Sequence, residues 1–120
     1  MPKKIELPIT ESAIRELRIG DEVEISGPMV TGRDAAHKHL VKTFDERFYE
    51  LAKDRFLYHC GPVVQKDPQG EWRFVAAGPT TSIREEPYEA EVIERYGIRG
   101  VIGKGGMGKR TLDALQKHGA

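Results

Sequence analysis

Glycines crowd the stretch GVIGKGGMGKRT, Gly100 to Thr111, which lies between a short apolar run and a helical tail. RGVIGKG reads as a strand entering a glycine loop, and GKRTLDALQKHGA as a helix with Leu112 and Leu115 on one side. Strand, tight turn and helix in that order belong to an α/β layout. The loop also has the makings of an anion site. A lysine, Lys104, sits among backbone N–H groups at a helix N-terminus, which together attract carboxylate or phosphate.

Two nucleotide motifs overlap the loop. Gly103 to Gly108 is a literal G-x-G-x-x-G, but a dinucleotide site needs an acidic residue about 20 positions further on. Only twelve residues follow Gly108. Gly103 to Lys109 is G-x-x-x-x-G-K, yet Lys109 is followed by Arg110, and Thr111 comes one place late. On a helix that rotates the hydroxyl by about 100° from where a magnesium ligand belongs. A phosphate-binding module using Gly103 to Lys109 therefore stands as the alternative reading. A plain strand-to-helix turn accounts for the glycines, but not for a lysine in their midst.

Charge decides what kind of anion site is possible. Nineteen basic residues balance nineteen acidic ones among 120, so no broad basic surface for nucleic acid is expected. Any anion must be held by a local cluster of cations. The start, MPKKIELPITESAIREL, has no apolar leader core, and no apolar run approaches membrane-spanning length. A cytoplasmic chain with no membrane partner is the expectation. Cys60 is the only cysteine, which rules out an internal disulfide or a CxxC knuckle and suits a small buried hydrophobe. The histidines have no metal-ligand spacing. His37 and His39, two apart, point in different directions on a helix and read as packing or surface residues, so no metal site is expected.

Along the chain, residues 3–9 read as an edge strand that tolerates Pro8. TESAIREL reads as a short helix capped by Thr10 and ended by Gly20, and DEVEISG as a half-buried strand. PMVTGRDAAHKHLVKTF runs from a turn into a helix, with Ala36, Leu40, Val41 and Phe44 apolar and Asp34 as the capping carboxylate. Two short β runs flank a turn at Asp67-Pro68-Gln69-Gly70. EPYEAEVIERYG reads as a helix closed by Gly97. The sum is one α/β domain over 1–120, a mixed sheet with packed helices. Since the chain stops one helix after its last strand, the domain is expected to be incomplete at its C-terminal end.

Two further turns share the character of the glycine loop. SGPMVTGRDAAH places Arg33 at the mouth of a helix, and AAGPTTSIREEPYEAE places Thr80, Thr81, Ser82 and Arg84 between a strand and a helix. Each alone is explained by a capped turn or a surface ion pair, such as Arg84 with Glu85, Glu86 or Glu89. Three such turns with a cation among small or hydroxyl residues point to one site, because loops on one edge of an α/β sheet converge.

SGPMVTGRDAAHKHL, LYHCGPVV and AAGPTTSIREEPYEAEVIERYGIRGVIGKGGMG together resemble the β subunit, or C-terminal half, of class I fumarases and L-tartrate dehydratases. The resemblance runs from about Leu7 to the end. It implies a swivelling β/β/α domain and a hydro-lyase that adds or removes water at a four-carbon dicarboxylate, fumarate or tartrate. It also implies a 4Fe–4S cluster whose open iron is a Lewis acid. Three cysteines of the partner α subunit would hold that cluster, in an α2β2 assembly; this chain, with one cysteine, could not. Carried over by motif, Arg33, Arg84 and Lys104 would bind substrate carboxylates. Thr80 would be the catalytic base, with Thr81 as its neighbour in the substrate site, and Ser82 has no assigned role. Family members continue well past the glycine loop, so a truncated domain without activity is a further alternative.

Overall fold

The computed structural model describes residues 2–120. At its centre three short strands lie parallel in the order β3-β4-β7: β3 (Val30–Thr31), β4 (Phe56–Tyr58) and β7 (Gly100–Ile102). Phe56 pairs with Gly100 and Tyr58 with Ile102, while Val30 pairs with Leu57. A second parallel pair joins β1 (Lys3–Glu6) to β2 (Val23–Ser26), and β5 (Val63–Lys66) folds against β6 (Trp72–Ala76) as an antiparallel hairpin. The helices are α1 (Glu11–Arg15), α2 (Asp34–Lys42), α3 (Glu46–Ala52), α4 (Glu86–Tyr96) and α5 (Lys109–His118). This is the α/β arrangement of mixed strands and packed helices that the sequence implies.

Alternation along β4 builds the core. Leu57 joins Leu40, Ala52, Val92, Tyr96 and Ile98 under α2, α3 and α4, whereas its neighbour Phe56 joins Ile5, Leu7 and Ile14 on the other side. The two clusters are thus seated on opposite faces of one strand. Tyr96 anchors the first by its hydroxyl, which accepts from Asp45 N–H at 3.0 Å and donates to the Leu40 carbonyl at 3.0 Å. The hairpin is different, because Val63, Trp72, Phe74 and Val75 are all exposed.

Several local expectations shift. Thr10 does cap α1, its hydroxyl accepting from Ala13 N–H at 3.2 Å, but the helix stops at Arg15 and Gly20 (φ +91°) serves the following turn. The first strand ends at Glu6, before Pro8. Val23 in β2 is exposed and only Ile25 is partly buried. A strand, β3, precedes Arg33, and Phe44 lies beyond α2, stacked on Tyr96 at 5.0 Å. Asp34 is the first residue of α2 rather than its cap, which is Arg33. An extra helix, α3, follows Asp45, whose carboxylate accepts from Phe48 N–H at 3.0 Å. Gly97 closes α4 in the left-handed region at φ +64°, and Cys60 is buried, both as read.

Candidate functional site

The C-terminal ends of β3, β4 and β7 open on the same edge, and two of the three predicted loops grow from it. Gly32 and Arg33 follow β3, His59 to Gly61 follow β4, and the glycine loop follows β7. The fourth segment, Thr80 to Glu85, joins this edge through its backbone. Thr80 N–H donates to the His59 carbonyl at 2.7 Å, and Ser82 N–H to the Lys104 carbonyl at 3.0 Å. Thr81 and Lys104 form a parallel bridge that extends the sheet edge by one step.

Side chains cross-tie the same loops. Arg84 donates to Asp34, beside Arg33, so the two arginine-bearing turns are joined by an ion pair rather than by the glutamates next to Arg84. The Arg33 stem lies against Gly61, where any Cβ would collide with it. Lys104 N–H donates to Ser82 Oγ at 3.1 Å. A Cβ on Gly103 would strike that same Ser82 Oγ, which is the packing reason for glycine there. Arg33, Thr81, Arg84 and Lys104 are exposed and Thr80 is half-buried, so all five are reachable from solvent.

The start of α5 is already occupied. Glu86 accepts from Gly108 N–H at 2.9 Å, Arg110 N–H at 3.2 Å and the Thr111 hydroxyl at 2.6 Å. Burial works against a charge on Glu86, but the Thr111 and N–H donors outweigh it and hold the carboxyl below its usual range. An internal carboxylate thus sits on N–H groups at the start of α5, where an external anion would otherwise bind. Lys109 turns away to Asp113 at 3.5 Å. Two N–H groups and one hydroxyl of the phosphate-module reading are therefore already engaged. An open pocket of about 620 Å³ flanks the loop, lined by Val101, Met107, Leu112 and Leu115 among others, but Arg33, Thr80, Arg84 and Lys104 are not on its wall.

Beneath the exposed cations is a buried polar cluster that spacing rules do not reveal. His37 of α2 and His59 after β4 are both fully buried, and both face Glu89 of α4. His37 Nε2 lies 2.8 Å from Glu89 Oε2 and His59 Nε2 lies 2.6 Å from Glu89 Oε1. Burial opposes ionisation of Glu89, but hydrogen bonds from the two histidines prevail and lower its pKa. For His37 burial likewise opposes the charge, and Glu89 and the Arg33 carbonyl raise the pKa above the ordinary histidine value. These three side chains could ring a metal ion, their ligand atoms lying within 4.8 Å of one another. Each ring, however, aims at a different Glu89 oxygen at hydrogen-bond distance, which is the geometry of two donors on one carboxylate.

Glu85 is the odd member. It is fully buried, and neither carboxyl oxygen has a donor among the described residues; Asp34 Oδ1 is in the same position. A proton on one Glu85 oxygen directed at Asp34 Oδ1 gives those two atoms a partner. Burial is the main reason that its pKa rises to about 7, with the Asp34 hydrogen bond second and the nearby His37 opposing. Since the folded value lies above the ordinary 4.5, the folded state keeps the proton longer than the unfolded one. The associated stability is complete below about pH 4.5 and is lost as pH rises through 7. We expect Glu85→Gln, which mimics the neutral acid, to remove about 3 kcal/mol of the stability lost between pH 4.5 and 8. Urea denaturation at several pH values checks this; identical slopes for parent and variant would show that Glu85 titrates normally.

A sequence profile of the fumarase C-terminus family matches residues 2–120. A protein of Geobacillus stearothermophilus, provisionally assigned as fumarate hydratase class I, is 53% identical over 115 residues, 96% of this chain and 22% of its own length. The L(+)-tartrate dehydratase subunit beta of Escherichia coli strain K12 is 38% identical over 120 residues, all of this chain and 59% of that subunit. A protein of Methanocaldococcus jannaschii, provisionally assigned as the same subunit, is 33% identical over 113 residues, 92% of this chain and 57% of its own. The chain therefore spans about three-fifths of the tartrate dehydratase subunits it matches and about a fifth of the fumarate hydratase.

Proposed function

The chain belongs to the fumarase C-terminus family, and from that premise we propose that it is the β part of an iron–sulfur hydro-lyase acting on a four-carbon dicarboxylate. The substrate is fumarate, hydrated to malate, or tartrate, dehydrated. The observation that carries this reading is the cross-tying of three cation-bearing loops at one sheet edge, through Arg84–Asp34, Thr81–Lys104 and Ser82.

A dicarboxylate brings two charges, and Arg33, Arg84 and Lys104 answer them. The arginine forks grip carboxylates in bidentate fashion, and the lysine adds a point charge. In the dehydration direction a proton leaves the carbon next to a carboxylate, and negative charge builds on that carboxylate. The same cations then bind the transition state more tightly than the ground state. Thr80 accepts the proton in this scheme. Its hydroxyl is a weak base, so the surrounding cations and N–H donors must favour its ionised form.

The chain itself does not fit an iron–sulfur cluster. It contributes one cysteine, Cys60, which is buried, whereas such clusters take several thiolates. The cluster is assigned to the partner subunit. Exposed Val63, Trp72, Phe74 and Val75 on the hairpin suit a protein that functions within an assembly. No described helix is long and apolar enough to cross a membrane.

The purified chain should be colourless and inactive, and activity should appear on anaerobic mixing with a cluster-loaded α subunit. A brown preparation that hydrates fumarate without a partner would overturn this division of labour.

A further inference from the structure

We propose that Ser82, His59, Glu89 and His37 form a buried hydrogen-bonded relay that fixes the Lys104 loop relative to the Arg33 loop. They act as positioning residues for the two carboxylate-binding turns, and this role rests on the hydro-lyase reading above.

The chain of contacts is continuous. Lys104 N–H donates to Ser82 Oγ at 3.1 Å, and Ser82 Oγ lies 2.9 Å from His59 Nδ1. His59 Nε2 and His37 Nε2 then meet the two oxygens of Glu89, and His37 Nδ1 lies 2.8 Å from the Arg33 carbonyl. Five segments of chain are joined in this way: the glycine loop, the Ser82 turn, the end of β4, α4, and the start of α2.

Proton bookkeeping gives the relay a direction. The Arg33 carbonyl can only accept, and the Glu89 carboxylate can only accept. His37 must therefore donate from both nitrogens, which makes it an imidazolium. His59 donates from Nε2 to Glu89, and its Nδ1 accepts from the Ser82 hydroxyl, whose oxygen accepts in turn from Lys104 N–H. Every donor then has an acceptor. Around His37 the other ionisable group in contact is Glu85, with Oε2 at 3.3 Å from Nδ1. Glu85 in turn faces Asp34, which pairs with Arg84. When Glu85 is protonated, Glu89 is the one carboxylate that neutralises His37.

Stability alone does not account for such a cluster, because well-packed apolar side chains in its place are often as stable or more so. A network of this kind does specify one arrangement. Here the arrangement it specifies is the separation of two carboxylate-binding turns.

Ser82→Ala is the mild test and Glu89→Gln the strong one, each assayed in the enzyme reassembled with its α subunit. Ser82→Ala should raise KM for the dicarboxylate about ten-fold, with kcat within a few-fold and folding intact. Glu89→Gln should raise KM further and convert His37 to its neutral form, visible in the histidine nitrogen spectrum of the full chain at pH 7. Backbone amide shifts give a readout that needs no activity: Ser82→Ala should move Gly32 to Asp34 as well as Lys104. A parent enzyme without hydro-lyase activity would defeat the functional reading while leaving the amide and histidine spectra to judge the relay. Shifts confined to the Ser82 turn, or a neutral His37 in the parent, would overturn the relay. So would stoichiometric zinc in the chain that is lost in Glu89→Gln.

Discussion

Lys104→Ala should slow the assembled enzyme by about 30- to 1000-fold, equivalent to roughly 2–4 kcal/mol of transition-state stabilisation. Lys109→Ala should leave it within a few-fold of the parent. The two lysines flank one glycine run, yet the fold separates them. Lys104 is bridged to Thr81, its N–H is held by Ser82, and its side chain is exposed at the edge where Arg33 and Arg84 emerge. Lys109 is the first residue of α5, its side chain 87% exposed and paired with Asp113 one turn on. Such an i,i+4 pair contributes little. With Glu86 on the Gly108 and Arg110 N–H groups, an anion beside Lys109 would have to displace that carboxylate. Steady-state kinetics of both variants, corrected for cluster content, decide the matter. Tight ATP or GTP binding abolished by Lys109→Ala would reinstate the phosphate reading in place of the carboxylate one.

Where the sequence succeeds, the determinant is local. The Asp67–Gly70 turn, the stop at Gly97 and the strand–loop–helix unit around Gly103 depend on turn chemistry and on periods of two and 3.6. The helix Glu46–Ala52 had a signal in plain view, an Asp45 cap followed by Phe48 and Ala52 four apart, but it is short and lies between two stronger elements. The buried cluster fails for another reason. Glu89 lies 52 residues from His37 and 30 from His59, and metal or catalytic spacing rules see only neighbours. A subtler clue was available. Glu89 shares the buried face of α4 with Val92, Ile93 and Tyr96, and His37 shares that of α2 with Leu40. A carboxylate and an imidazole at apolar positions must find each other or remain unpaired, and unpaired burial is costly. Glu86 illustrates the limit of this approach. Nothing in its surroundings along the chain announces that it caps a helix beginning at Lys109, because the helix pairing that brings it there is tertiary.

Thr80→Val should lower kcat by about 100- to 10,000-fold with little change in KM, the range expected for removing a general base. Arg84→Lys should do the reverse, raising KM because the charge survives but the bidentate fork does not. In the proposed scheme the two side chains, four residues apart, divide binding from proton transfer. The competing account makes Thr80 a structural cap, whose loss costs about 1 kcal/mol of stability and leaves turnover intact. The geometry weakens that account, because the cap position of the turn at Ser82–Glu85 belongs to Thr81 and no side-chain cap bond is formed. Thr80 is held by its backbone instead, through N–H to the His59 carbonyl at 2.7 Å, and valine keeps that bond. The substitution therefore removes a hydroxyl without removing the contact that places it. His59 is itself pinned by Glu89 and Ser82, so the backbone at residue 80 should stay in place when the hydroxyl is lost. Kinetics of Thr80→Val reassembled with the α subunit, normalised to folded and cluster-loaded protein, give the decisive number. A kcat within a few-fold of the parent would take Thr80 out of the mechanism and move the search for the base to the partner subunit.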